Sequence, residues 1–501
     1  MLYLQRLRKG AACLTAALMC GQLTAAPAQE TNKEKKPPKG DIREKPTKMV
    51  EKQASVTIDG KKIDYTVRTS RLVIKKDDGK ARASVFHVAY TRNGVKDLAK
   101  RPVLFAFNGG PGSSAVWLHM GALGPRILPT SEDGTQALKP PYKAKENPFS
   151  LLDVADLVFI DPVSTGYSRP EDKKEKFHGV DEDIESVGDF IRRWVTQHQR
   201  WSSPKYLLGE SYGGVRAAGL ANHLQHRFGM NLNGVVLLSS LMDFRPLSPS
   251  AGNDLAYVAF LPAFTAMAHY HGKIKGNRDT LVQQARDYAA GDYATALLKG
   301  FTLDGTARSQ VAAQLAKLTG LPEQVVLRYN LRVGPSQFRK ELLRADGKVL
   351  GRFDARTAWP EVAKAGEHPQ YDPSMSAIKG PISSALLDYM ADDLGWIEER
   401  PYEIIARIGN WNWGNKRGYV NVSSRLATAM RDNPYLRVLV QCGHADLATP
   451  AGGILHSLAH MHVPAPQRKN ISVAWYEAGH MFYLNEPDLK KMREDLVKFL
   501  R

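Results

Sequence analysis

Tyr206-Leu207-Leu208-Gly209-Glu210-Ser211-Tyr212-Gly213-Gly214-Val215 is the stretch on which the reading of this chain turns. Three apolar residues make a short strand that runs into G-x-S-x-G, and residues 215–228 continue with a helical pattern. Glycines on either side of Ser211 permit a tight turn from strand to helix, which holds a serine hydroxyl exposed at a sheet edge above a helix N-terminus. The five-residue pattern by itself also occurs in ordinary loops. Its position between strand and helix makes Ser211 a candidate nucleophile.

Working outward, continuous apolar runs at 103–107, 156–161, 234–238 and 436–440 read as strands buried on both faces. Between 181 and 199 the residues Ile184, Val187, Phe190, Ile191, Trp194 and Val195 recur at helical spacing. Val56-Thr57-Ile58, Asp59-Gly60 and Ile63 to Val67 predict a β-hairpin, and residues 84–90 a further strand. Strands that alternate with helices imply a mostly parallel sheet covered on both sides. Residues 244–408 break the rhythm with helical patterns at 255–271, 279–298, 309–318 and 382–396, and read as a cap inserted over the carboxyl edge of the sheet. The core is thus expected in two parts, 54–243 and 409–501, closed by a strand at 472–476 and an amphipathic helix at 489–500.

A serine hydroxyl needs a base within hydrogen-bond reach and a carboxylate to set the tautomer of that base. In α/β-hydrolases these follow in the order Ser, acid, His, each on a loop after a strand. Asp446, in Cys442-Gly443-His444-Ala445-Asp446, and His480, in Glu477-Ala478-Gly479-His480-Met481, occupy such positions in that order. An oxyanion site needs backbone N–H groups aimed at the developing charge. Tyr212, after the nucleophile, offers one. Asn108-Gly109-Gly110-Pro111-Gly112, directly after the strand ending at Phe107, offers the second.

The two ends and the composition bound where such a protein works. Arg6, Arg8 and Lys9 precede an apolar run at 11–19 and a small-x-small site at Ala26-Pro27-Ala28, which is the pattern of a signal peptide over 1–28. Cys20 raises the alternative of a lipid anchor, against which stands the large Met19 before it. Export to a periplasmic or extracellular location is expected, as a soluble protein. Residues 29–53, rich in Lys, Glu and Pro, read as a flexible linker. Cleavage leaves Cys442 as the only cysteine, so no internal disulfide forms, and lowers the formal charge from +18 to about +15. That excess suits weak association with anionic envelope components; an exported chain with no aromatic-basic module is not expected to bind nucleic acid. No feature fixes an oligomeric state.

Four segments, in order, resemble the motifs of serine carboxypeptidases: Asn108-Gly109-Gly110-Pro111-Gly112-Ser113-Ser114, residues 161–168 (DPVSTGYS), Gly209-Glu210-Ser211-Tyr212-Gly213-Gly214 and Ala478-Gly479-His480-Met481. Leu261-Pro262, Tyr270-His271-Gly272-Lys273 and Asp446-Leu447-Ala448-Thr449-Pro450 are similar to bacterial members. The resemblance implies an α/β-hydrolase fold, no cofactor, and removal of single residues from peptides with a free C-terminus through an acyl-enzyme on Ser211. It further implies Gly110 and Tyr212 as oxyanion donors, and Asn108 and Glu210 as ligands of the substrate's terminal carboxylate. Two carboxylates side by side repel unless one is protonated, so activity is expected to favour acidic pH. Two positions depart from the family: Ser113 stands where cysteine is common, and Ala122 where a second glutamate often assists carboxylate binding.

Three readings stay open at this level: a carboxypeptidase, an esterase or acyltransferase using the same triad, and a binding protein that kept the fold. His456, His460 and His462 match no strong metal-ligand motif. Trp411-Asn412-Trp413 reads as packing of the cap against the core, with the lining of a cleft as the alternative.

Overall fold

The computed structural model describes residues 48–414 and 418–501; the expected signal peptide and most of the expected linker lie outside them. Its main sheet runs β1 (Met49–Ile58), β2 (Lys61–Lys75), β3 (Ala81–Arg92), β4 (Val103–Phe107), β5 (Asp156–Ile160), β6 (Lys205–Glu210), β7 (Gly234–Leu238), β8 (Arg437–Gly443) and β9 (Ile471–Tyr476). In space the order is β1-β2-β3-β5-β4-β6-β7-β8-β9, with a two-residue strand, Arg169–Pro170, pairing beside β3. The first three strands are antiparallel to one another and β3 is antiparallel to β5. From β5 to β9 every pair is parallel.

The parallel strands are apolar on both faces because both faces are covered. Val103, Phe105 and Phe107 of β4 enter one core cluster with Ile184, Phe190 and Trp194 of helix α1 (Val180–Gln197). Leu104 and Ala106 enter the opposite cluster, with Met492 and Leu496 of the C-terminal helix (Glu486–Leu500). The same two-residue alternation runs through Leu207 and Leu208, and through Val235 and Val236. Each fully buried Val, Leu, Ile or Phe contributes roughly 1.5–3 kcal/mol, so this double-sided core dominates the stability of the sheet.

Four outlines differ from expectation for identifiable reasons. Strand β1 starts at Met49, inside the segment read as linker, because the stretch 49–55 pairs its backbone with β2 from Met49↔Ser70 onward and packs Val50 and Ala54 on the core. The helix after Ser211 (Tyr212–Phe228, here α2) starts at Tyr212 and not at Val215. The helix expected over 279–298 breaks into Arg278–Tyr288 and Ala294–Lys299, with Gly291 in a non-helical conformation between them. Strand β8 reaches Gly443, which sets Asp446 three residues beyond it.

Between β7 and β8 the helices Leu255–Tyr270 and Gly305–Thr319 form a cluster of their own that closes on Ala445 and Leu447, in the loop after β8. The helix Pro373–Asp392 instead joins the core cluster under the sheet through Ile382, Leu386 and Tyr389. A small hairpin of Lys348–Leu350 with Ala358–Pro360 carries the turn 351–357 toward the loops at the carboxyl ends of the strands. A mostly parallel sheet with a strand-to-helix turn at Ser211 and loops gathered at its carboxyl edge is an α/β-hydrolase fold. No helix among the described residues is long and apolar enough to cross a membrane.

Candidate active site

Ser211 sits at the turn between β6 and α2 with φ 62° and ψ −128°, a region non-glycine residues rarely enter and which costs on the order of 1–3 kcal/mol. Its N–H donates to the Leu238 carbonyl at 3.0 Å, and its own carbonyl accepts the Gly214 N–H at 2.9 Å. The turn is held against the neighbouring loop by absence of side chains. A Cβ at Gly109 would stand 2.7 Å from Gly213 N and 2.8 Å from Glu210 O, a distance no substituent tolerates. That approach lays Gly110, with φ 102°, beside the turn. Among the described residues the N–H groups of Gly110 and Tyr212 have no acceptor within the protein.

Asp446 and His480 are both buried, at 1% and 2% exposure. Asp446 Oδ1 accepts N–H bonds from Ala448 (2.7 Å) and Thr449 (2.9 Å), and Oδ2 lies 2.8 Å from His480 Nδ1. A carboxylate at Nδ1 fixes the ring proton there and leaves Nε2 as the acceptor. Burial pulls the His480 basicity down, but the charge and hydrogen bond of Asp446, helped by Glu210, outweigh it and raise the pKa above the ordinary imidazole value. The His480 N–H donates to the Phe353 carbonyl, and the Phe353 ring meets the imidazole edge-on with centroids 5.1 Å apart.

Glu210, 3% exposed at the end of β6, is the unusual carboxyl. Burial pushes it up to about 7, against the lowering influence of His480, of the Tyr483 hydroxyl and of Asn108. Tyr483 Oη donates to Oε2 at 2.8 Å. Asn108 adjoins it: Oδ1 accepts the Leu118 N–H at 3.1 Å, while the buried Nδ2 has no partner in hydrogen-bond geometry. A free amide donor and a carboxyl that holds its proton near neutrality therefore face one cavity of about 330 Å³, which Ser211, Gly110, Phe353 and His480 also line.

A wider concavity of about 530 Å³, bordered by His269, Arg278, His444 and Glu477, contains none of these groups, and Arg278 and Glu477 are spent on each other. Five of the seven residues singled out from sequence line this cavity of about 330 Å³; Asp446 reaches it through His480, and Tyr212 follows Ser211 at the first position of α2. Ala122 is buried in the turn His119–Leu123, where its carbonyl accepts Asn147 Nδ2 at 2.8 Å, and it does not line the cavity. Trp411 and Trp413 stand edge-on to the Tyr212 ring, at 5.5 and 6.2 Å. Burial drives the Cys442 thiol up to about 12, so it is not a reactive thiolate. No group of three or more potential metal ligands occurs among the described residues.

Sequence reading gave no role to Thr449, Tyr483, Arg216, Arg352 or Phe353. Arg216 in α2 pairs with Asp183 in α1 at 2.8 Å and donates from Nη1 to the Asn108 carbonyl at 2.6 Å, so a buried ion pair grips the residue that opens the glycine-rich loop 108–112.

A model of the family described as "Serine carboxypeptidase" matches residues 76–298, the span that holds Asn108, Gly110, Glu210 and Ser211. Over that span the chain is similar to serine carboxypeptidases. The chain is also similar to Serine carboxypeptidase-like 20 of Arabidopsis thaliana, 30% identical over 316 residues that cover 58% of this chain and 57% of the relative. Serine carboxypeptidase 1 of Hordeum vulgare is 25% identical over 338 residues, 63% of this chain and 62% of the relative. The chain thus spans less than two thirds of the length of the curated relatives it matches. Among solved structures, the prohormone-processing carboxypeptidase Kex1(delta)p from Saccharomyces cerevisiae shares the fold, with a TM-score of 0.55 at 14% identity over 87% of this chain and 91% of that one.

Proposed function

We propose that this protein is a serine-type carboxypeptidase that releases the C-terminal residue of peptides through an acyl-enzyme. The observation that carries the reading is the pairing of Asn108 Nδ2, buried and without a partner, with Glu210, a buried carboxyl shifted to about 7, in the cavity of Ser211. An amide donor beside a protonated carboxyl is a receptor for a carboxylate, and a free C-terminus supplies one at a fixed distance from the last peptide bond.

His480 Nε2 takes the Ser211 hydroxyl proton as Oγ attacks the scissile carbonyl. The oxyanion so formed accepts from the Gly110 and Tyr212 N–H groups, which stand in place before the reaction and need no reorganisation. Asp446 stabilises the imidazolium, which gives its proton to the leaving amine. Water then enters, loses a proton to His480 and cleaves the acyl-serine ester, which restores the Ser211 hydroxyl. The N-terminal pattern supports an exported protein acting on peptides outside the cytoplasm, and the excess of basic residues suits weak attraction to anionic envelope material.

The test compares a blocked dipeptide with a free carboxyl end, its carboxamide and its ester, with wild-type protein and Ser211→Ala. Cleavage of the acid well above the carboxamide, lost in Ser211→Ala, is the expected result. Serine-dependent cleavage of the ester alone would instead identify an esterase built on the same triad.

A further inference from the structure

One wall of the cavity is not used by the chemistry above. The turn 351–357 reaches His480 through Phe353, whose carbonyl takes the His480 N–H. Arg352 precedes Phe353, lines the same cavity, and holds its guanidinium over the Phe353 ring, 5.1 Å from the centroid. The basic groups around it are satisfied: Arg356 pairs with Asp354, and Arg339 donates to the Leu350 carbonyl and lies 3.8 Å from Asp372. Asp372 spends Oδ1 on the Arg352 backbone N–H and on Ser374. The Arg352 guanidinium itself has no hydrogen-bond or ion-pair partner among the described residues. Its charge acts on His480, whose basicity it lowers, so guanidinium and imidazole are within Coulombic reach.

The side of the cavity matters. In the acyl-enzyme mechanism His480 gives its proton to the leaving amine, so the released residue lies on the His480 side, which is the Phe353 and Arg352 side. A guanidinium without an acid partner presents a planar fork of donors that matches a carboxylate. We propose, resting on the carboxypeptidase reading, that Arg352 binds an ionised carboxylate of the residue being released and sets the specificity of that subsite. The carboxylate is either the terminal one, shared with Asn108 and Glu210, or the side chain of a C-terminal Asp or Glu. In the first case Arg352 lets the site hold a C-terminus with a single glutamate, Glu210 being the one carboxyl among the described residues that line the cavity.

Arg352→Gln and Arg352→Lys are compared with wild type on blocked dipeptides ending in Phe or Asp, and on the methyl ester of the Phe dipeptide. In Arg352→Gln the KM for the acids rises about 10-fold relative to the ester, with a smaller change in kcat, and Arg352→Lys recovers most of it. Equal losses for Phe and Asp assign the terminal carboxylate; a loss confined to Asp assigns the side chain. An acid-to-ester KM ratio that is the same in all three proteins overturns the proposal. If wild type cleaves only the ester, the carboxypeptidase reading fails separately. Inhibition of ester hydrolysis by phenylalanine and aspartate, against phenylalaninamide, then reads Arg352: a preference for the acids that Arg352→Gln abolishes supports it, and one that persists overturns it.

Discussion

Tyr483 Oη donates to Glu210 Oε2 at 2.8 Å, a contact between residues 273 positions apart that holds the carboxyl lining the cavity beside His480. Glu210 is coupled in turn to His480. The Glu210 anion raises His480, and the His480 cation lowers Glu210. The arrangement that suits peptide cleavage, Glu210 protonated and His480 neutral, carries the same number of protons as the opposite ion pair.

A pH profile follows from that coupling. Peptide acids meet a neutral Glu210 below about 7 and an ionised one above it, so their kcat/KM falls as pH rises through about 7. An ester has no carboxylate to repel and needs only neutral His480, so its rate is expected to rise, and not to fall, over the same interval as the imidazole loses its proton. In Glu210→Gln the fall for peptide acids disappears. The acid limb of ester hydrolysis also moves to lower pH, because the anion that raised His480 is gone. Profiles from pH 4 to 9 on a matched acid and ester check both shifts; parallel profiles in wild type would count against the role of Glu210.

Thr449 acts on the base without touching substrate. Its Oγ1 lies 2.6 Å from the Ser239 carbonyl and 2.9 Å from both Asp446 Oδ2 and His480 Nδ1. The hydroxyl has one proton to donate, to Ser239 or Asp446, and can accept from the imidazole. Thr449→Val removes those bonds at nearly constant volume, and kcat is expected to fall on the order of 10-fold with KM little changed. Thr449→Ser should recover most of the rate. Equal loss in both variants would point to packing and not to the hydroxyl.

The Asp183–Arg216 pair ties the glycine-rich loop 108–112 to the helix that follows Ser211. Both side chains are buried, so Arg216→Met leaves Asp183 as an uncompensated charge, at a cost of roughly 3–5 kcal/mol. Asp183→Asn with Arg216→Met should recover much of that stability in urea denaturation. It should not recover kcat, because the Asn108 carbonyl still lacks its donor. Full recovery of both would confine the pair to stability.

The parts of this molecule legible in the sequence are those whose physics is local. Strands β4 and β7 are continuous apolar runs because helices cover both faces, and Ser211, Asp446 and His480 stand after strands in the expected order. The beginning of β1 escaped because an edge strand can be charged, as 49–55 is, and still pair its backbone. The hairpin 348–360 escaped because three-residue strands leave too short a pattern to read. Phe353 reaches His480 across 127 positions of chain, and Arg216 reaches the Asn108 carbonyl across 108. Such contacts are made by the fold, and no spacing announces them.

Mass spectrometry of an N-blocked pentapeptide and of its C-terminal carboxamide, incubated with wild-type protein and with Ser211→Ala, tests the central claim most directly. The expected result is stepwise loss of single residues from the free C-terminus, far slower turnover of the carboxamide, and no products with Ser211→Ala. Internal cleavage, equal turnover of acid and carboxamide, or products that persist in Ser211→Ala would contradict it.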